Sequence, residues 1–404
     1  MKLGFFEAEG WEKEILEREL PDLEIYFTTE RLTKENVKNF QDLDILSIFI
    51  SSEIDKEIID SLPNLKLITT RSTGYDHIYC EYCKSKGILV CNVPEYGTKT
   101  VAEWTIGLML NLMRKIYYAI DQIKETESFD LKNLRGEELY GKTLGVIGTG
   151  RIGKEVIKLA KAFGMNILAY DIYPDENFAK EYNVTYTSLE ELLKNSDVIT
   201  IHVNLNPSTY HLINKENIKF IKPGAYLINT ARGGIVETEA LLYALKEGIL
   251  QGAALDVLEE ETEIKEELEL LVKYTKSHLP ESSDRIEYTR IERPNNNIHP
   301  NKRPNDIPEY KPNENQKFGL NSGNEHSFGQ DSGSNKTFGQ NSGSDNIKET
   351  AFTLWQNHIL MKMPNVLITP HNAFNSKEAI ERILMTTIEN IKKFLEGNPI
   401  NLVK

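Results

Sequence analysis

Short runs rich in β-branched residues alternate with longer mixed stretches through the first hundred residues. Ile45–Ile50, Leu65–Thr69 and Ile88–Val90 predict strands, and the polar-apolar stretches between them predict helices. This is the rhythm of a parallel sheet covered by helices. The segment from Val101 to Ile120 is apolar nearly all round and too long for a strand. A helix of that kind is buried on every side, which places it between domains or at a subunit interface and favours a homodimer. After Gly141 a second series of strands is predicted at Thr143–Gly148, Asn166–Tyr170, Val198–Val203, Ala225–Asn229 and Gly252–Asp256. Between the first two, Ile152, Val156, Leu159, Ala160 and Phe163 recur at helical spacing, and the chain closes on an amphipathic helix, Glu378–Leu395.

One region breaks the pattern. Residues 276–350 are crowded with Asn, Pro, Ser and Gly and hold 12 hydrophobic residues among 75. Phe-Gly units recur there at Phe318, Phe328 and Phe338. One Phe per ten residues gives a stacked repeat no apolar face, so a disordered, low-complexity insertion is expected. This insertion accounts for the low apolar share of the whole chain, 40% of 404 residues. Its charges nearly cancel, so the net charge of −14 belongs to the rest. Such a charge argues against nucleic acid or an anionic membrane as partner. Three cysteines make no disulfide framework, and Cys80-Glu-Tyr-Cys83 lacks the second pair that structural zinc needs, so no metal is expected. No apolar run approaches a membrane span, and MKLGFFEAEGWEKE carries no signal-peptide core. A cytoplasmic protein is expected.

Gly148-Thr-Gly150-Arg151-Ile152-Gly153 follows an apolar strand and opens an amphipathic helix. Asp171 ends the next strand, 18 residues past the last glycine. Together these form the βαβ dinucleotide fingerprint. Gly148 allows the tight turn, Gly150 lets backbone approach a pyrophosphate, and Gly153 lets helix pack on strand. The helix N-terminus offers N–H groups to phosphate. Arg151 either touches phosphate or caps the helix. Asp171 accepts from a ribose 2′-OH and repels a 2′-phosphate, so the expected cofactor is NAD.

Three further segments stand at predicted strand ends: Asn229-Thr230-Ala231-Arg232, Asp256-Val-Leu-Glu-Glu-Glu261 and Pro364 to His371. With the mid-chain glycine motif, the order Arg, Glu, His resembles the D-isomer-specific 2-hydroxyacid dehydrogenase family over essentially the whole chain outside the insertion. The resemblance implies two Rossmann-like or flavodoxin-like parallel-sheet domains facing an interdomain cleft. Residues 1–99, completed by 372–404, would bind substrate, and 100–371, carrying the insertion, would bind NAD. It further implies that His371 is the general acid/base, Glu261 its partner and Arg232 the group that binds the substrate carboxylate. A carboxylate beside histidine favours the imidazolium, and a planar guanidinium matches a carboxylate. Glu259 and Glu260 compete for the Glu role; the family's spacing from the strand-end Asp256 selects Glu261.

By the same resemblance Thr73 and Gly74, in Arg71-Ser-Thr-Gly-Tyr-Asp76, receive the substrate carboxylate, and Tyr96 lines the substrate pocket. Val203, Asn204, Thr209, Thr230, Ala231 and Asp256 join the cofactor contacts, with Asp256 on the nicotinamide side. Two departures stand out: Asn204 replaces a common proline, and Trp104 a common histidine. His202 reads as a structural residue in mid-strand, His77 as a neighbour of the substrate loop, and His211 and His358 as solvated or packing residues. The implied activity is reduction of a small 2-oxo acid to its D-2-hydroxy acid, with pyruvate and D-lactate favoured by Tyr96. Phosphoglycerate and glyoxylate or hydroxypyruvate are alternatives, and so is an NAD-sensing corepressor-like binding protein of the same fold.

Overall fold

The computed structural model describes residues 1–265, 267 and 343–403. Two parallel sheets organise them. The first has the order β2-β1-β3-β4-β5, with β1 Lys2–Phe5, β2 Glu24–Phe27, β3 Ile45–Ile48, β4 Leu67–Thr70 and β5 Leu89–Cys91. This is the flavodoxin-like order, whose switch point lies between β1 and β3. β3 and β4 are buried along their whole length because helices cover both faces. On one face Leu46, Ile48, Ile68 and Val90 pack with Ile58 and Leu62. On the other, Leu3, Phe5, Ile45 and Leu67 pack with Leu16 and with Leu384, Ile388 and Ile391 of the C-terminal helix Lys377–Leu395.

The second sheet is assembled from β6 Thr143–Ile147, β7 Asn166–Tyr170, β8 Val184–Tyr186, β9 Val198–Ile201, β10 Ala225–Asn229, β11 Leu250–Leu255 and β12 Val366–Ile368. Its order, β12-β11-β10-β9-β6-β7-β8, is the Rossmann order with a seventh strand. Leu144, Val146, Ile228 and Ala254 bury one face against Met109, Leu112, Val156 and Ala160. Ile199, Ile201, Leu227 and Leu255 bury the other against Leu192, Leu241, Leu245 and Leu360. The chain is thus α/β with two parallel-sheet domains, as the alternating pattern predicts.

Four details differ from the pattern. The single helix expected over 101–120 is two, Thr98–Arg114 and Ile116–Thr126, because Lys115 turns left-handed at φ 53°. The first buries Val101, Ile106, Met109 and Leu112 in its own domain; the second buries nothing and exposes Ile116, Tyr117, Ile120 and Ile123. An outward apolar face therefore exists, but on the second helix. β9 ends at Ile201, so His202 lies just past the strand and not within it; its Nε2 meets Thr200 Oγ1 at 2.9 Å. β1, β2 and β8 are absent from the predicted strands; β1 and β2 form the switch point and edge of the first sheet, and β8 forms an edge of the second. The insertion expected at 276–350 lies outside the described residues as far as 342, but its last part is helical, since a helix spans Gly343–Lys362.

Candidate active site

The loops that follow β3, β4, β10, β11 and β12 converge on one cavity of about 300 Å³. Arg232, Glu261 and His371 all line it, although His371 stands 110 residues beyond Glu261. Each arrives at the carboxyl end of a strand, where ligands bind in such sheets.

Arg232 follows β10 and is positioned by Asn229, a buried residue at the strand end. The Asn229 side chain accepts from the Ala231 N–H at 3.0 Å and donates to the Arg232 carbonyl at 2.8 Å, so one amide pins both sides of the turn. The guanidinium reaches across to the first sheet, where Nε donates to Asp76 at 3.2 Å. Burial raises the Asp76 carboxyl, but the charge and hydrogen bonds of Arg232 outweigh it and hold it below its ordinary value. Gly74 makes room for this contact: a Cβ there would stand 1.9 Å from Arg232 Nη2. The Thr73 hydroxyl is turned onto the Val93 carbonyl at 2.9 Å. The half-buried Tyr96 has its phenol pushed up to about 12 by burial, against the opposing pull of Arg232, and its carbonyl accepts two bonds from Arg382.

His371 sits in a left-handed turn at φ 52° just past β12. Its N–H donates to the Asp256 carbonyl at 2.8 Å. The Asp256 carboxylate, itself buried, accepts from the N–H groups of Asn372 and Ala373 at 2.9 Å each and from the Thr369 hydroxyl. Expected along the nicotinamide, this carboxylate is already engaged with the His371 turn, so its visible work is to hold that turn in place. His371 Nδ1 meets Glu261 Oε2 at 3.2 Å. Burial raises the Glu261 carboxyl, but hydrogen bonding and charge from His371, with Lys265 at 2.7 Å, bring it down to about 2. Glu261 is therefore a fixed anion beside the imidazole.

The other two carboxylates of that run have different surroundings. Glu259 accepts from the Thr238 N–H and hydroxyl and lies 2.6 Å from His211 Nε2. Glu260 lies on the cavity wall. His211, expected to be solvated or packing, thus has a carboxylate partner, as does His358, 2.9 Å from Glu267. His77 Nε2 meets the Thr70 hydroxyl at 3.0 Å, and burial lowers its basicity to about 4, so it is neutral near pH 7. Burial likewise lowers His202 to about 3.

The glycine motif fits a dinucleotide. Gly148 has φ 93°, and a Cβ there would meet the His202 carbonyl at 2.7 Å. A Cβ on Gly153 would stand 2.0 Å from the Gly148 carbonyl, whereas nothing lies within 4 Å of the corresponding position on Gly150. Backbone is close where helix meets strand and open where a pyrophosphate approaches. The helix Arg151–Ala162 starts at Gly150 with no side chain capping it, which leaves its first-turn N–H groups to a ligand. Ile152 lies half-buried beneath. Asp171 follows β7 and accepts from the Thr149 N–H at 2.6 Å, which fixes its carboxylate beside the motif. Val203 packs against Gly148.

Other expected contacts are engaged within the protein. Arg151 pairs with Glu95 at 2.9 Å. The Thr209 hydroxyl donates to the Asn204 carbonyl at 2.6 Å, closing their loop. The Thr230 hydroxyl meets that of Thr105 at 3.0 Å.

The sequence pattern assigns no role to Asn229 or Asp76. The signal for Asn229 was a lone polar residue ending an apolar strand; nothing local marks Asp76, whose partner is 156 residues away. Among the described residues no helix is long and apolar enough to cross a membrane, and no group of His, Cys, Asp or Glu is placed to hold a metal.

Residues 106–279 match the NAD-binding domain of the D-isomer-specific 2-hydroxyacid dehydrogenases. A 2-hydroxyacid dehydrogenase homolog of Schizosaccharomyces pombe is 30% identical over 98% of this chain and 97% of its own. A glyoxylate reductase of Thermofilum pendens is 45% identical over 56% of this chain and 68% of its own. A D-3-phosphoglycerate dehydrogenase of Methanocaldococcus jannaschii is 45% identical over 57% of this chain, a match that spans only 44% of that relative. Among solved structures, D-lactate dehydrogenase from Aquifex aeolicus, complexed with NAD and lactic acid, superposes with a TM-score of 0.72 at 31% identity over the whole of both chains. With a relative aligned from end to end and the nucleotide fold matched to the family's own, this chain belongs to the D-isomer-specific 2-hydroxyacid dehydrogenases and is an NAD-dependent oxidoreductase.

Proposed function

We propose that the chain interconverts a small 2-oxo acid and its D-2-hydroxy acid, with pyruvate and D-lactate as the leading pair. The observation that carries this is the meeting of Arg232, His371 and Glu261 in one cavity of about 300 Å³. Arg232 binds the substrate carboxylate, helped by backbone N–H groups of Thr73 and Gly74, and turns the 2-oxo group toward His371. NADH, when bound, supplies a hydride to C2. His371 gives its proton to the carbonyl oxygen from Nε2, because Nδ1 is held by Glu261. The fixed anion of Glu261 orients the ring throughout. Tyr96, close enough to Arg232 to feel its charge, lines the substrate pocket. Gly148, Gly150, Ile152 and Gly153 seat the dinucleotide with Val203 and Ala231, and Asp171 selects NAD over NADP.

Residues 1–99 with 372–404 act as the substrate domain, and 100–371 as the NAD domain. Closure between them excludes water from the reacting atoms. We further propose a cytoplasmic homodimer whose interface takes the apolar face of Ile116–Thr126. The test is loss of NADH absorbance with pyruvate, 2-oxobutyrate, glyoxylate and hydroxypyruvate. Turnover of pyruvate is expected. Tight NADH binding with no turnover of any would overturn the enzyme reading in favour of an NAD-sensing binding protein.

A further inference from the structure

The charges around the active-site cavity divide into two groups. In one group Asp76 lies on Arg232, Glu261 lies between Lys265 and His371, and Glu259 lies on His211. Three further carboxyls that line the cavity have no role in the proposed chemistry. Glu53 comes from the loop after β3, and Glu260 and Glu263 from the segment after β11. The Glu260 and Glu263 carboxyls are hydrogen-bonded to each other, and Glu53 is near enough to act on Glu260 through its charge. Glu260 holds its place in a left-handed backbone, φ 55°, which a residue with a Cβ rarely adopts. Arg31 also lines the cavity. Even when it offsets one carboxylate, three carboxyls that share a proton leave this group negative.

A 2-oxo acid that places its carboxylate on Arg232 and its carbonyl on His371 occupies the same cavity as these three carboxyls. We propose that Glu53, Glu260 and Glu263 set the substrate class of this site. They admit 2-oxo acids whose C3 substituent is uncharged or cationic, and they exclude those that carry a phosphoryl group or a second carboxylate there. The inference rests on the proposed dehydrogenase function and narrows it. Like charges a few ångströms apart in a half-buried cavity repel strongly enough to change binding by on the order of tenfold each.

The experiment compares initial rates of the full chain with NADH and four substrates: pyruvate, 2-oxobutyrate, oxaloacetate and 3-phosphohydroxypyruvate. The wild type should favour the two monoanions by on the order of a hundredfold in kcat/KM. The triple variant Glu53→Gln, Glu260→Gln, Glu263→Gln should raise the ratio of oxaloacetate to pyruvate kcat/KM by about tenfold or more. Wild-type enzyme should also lose discrimination as salt is raised, a readout that needs no variant. A wild type that uses the doubly charged acids as well as pyruvate overturns the proposal, and so does a ratio that neither the variant nor salt moves. Failure to reduce any of the four while NADH still binds overturns the dehydrogenase reading itself, a result distinct from either of these.

Discussion

A side chain of any size on Gly74 would collide with the guanidinium of Arg232, since a Cβ there lies 1.9 Å from Nη2. The two residues sit on different sheets, and the glycine is what lets Arg232 cross between them to Asp76. Gly74→Ala is therefore expected to displace Arg232 and lower kcat/KM for pyruvate by on the order of a hundredfold. Fluorescence titration should find NADH affinity within about threefold of wild type, because the glycine motif is untouched. Unaltered steady-state kinetics would show that Arg232 does not need this passage.

His371→Ala removes the proposed proton donor. Turnover should fall by about a thousandfold or more, with NADH still bound. Glu261→Gln keeps a hydrogen-bonding side chain beside Nδ1 but removes the fixed charge. It should lower kcat more gently, by on the order of tenfold to a hundredfold. If His371→Ala retains kcat, its role is refuted.

Asp171 is held beside the glycine motif by the Thr149 N–H. Asp171→Ala removes both a ribose acceptor and the charge that repels a 2′-phosphate. The NADPH to NADH ratio of kcat/KM should rise by about tenfold. A small loss of stability, about 1 kcal/mol, should accompany it as the Thr149 N–H loses its acceptor. A cofactor ratio equal to that of wild type would place 2′-phosphate discrimination elsewhere.

Burial and the neighbouring Glu263, Glu259 and Glu53 push the Glu260 carboxyl up to about 7. The unfolded chain loses this proton near 4.5, the folded chain only near 7. Glu260 therefore contributes most below about pH 4.5, and its contribution is lost as pH rises through 7. Glu260→Gln should have little effect at pH 4.5 and should stabilise the protein at pH 8, by on the order of 1 kcal/mol. Thermal melts of both proteins across that range measure it. A melting difference that does not change with pH would contradict the assigned acidity.

The strands of both sheets were largely legible because buried parallel strands read as continuous apolar runs. Asn166–Tyr170 and Ala225–Asn229 coincide with prediction residue for residue. The break at Lys115 was not legible, because Arg114-Lys115-Ile116 has helical composition and nothing in it demands a left-handed turn. At the site, the cavity gathers the predicted Arg232, Glu261 and His371. What sequence could not supply was which donors their neighbours already satisfy. Asp256 is an instance: its place at a strand end was plain, but its engagement by Thr369, Asn372 and Ala373 depends on chain that returns more than a hundred residues later. Asp76 is another, since only folding brings it to Arg232.

That return has a consequence for how the enzyme tolerates change. β11 and β12 are paired in register, Ala253 with Val366, Ala254 with Leu367 and Leu255 with Ile368. Asp256 ties off the turn just beyond. Whatever joins the two strands begins and ends at points already fixed by the sheet, so its length is nearly a free variable. For a flexible connection the entropy of closure rises only with the logarithm of length, about 0.6 kcal/mol for each doubling. The distance between Glu261 and His371 is set by backbone hydrogen bonds and not by residue count. Insertions of very different size can therefore be gained or lost between these two residues while the reacting atoms keep their spacing.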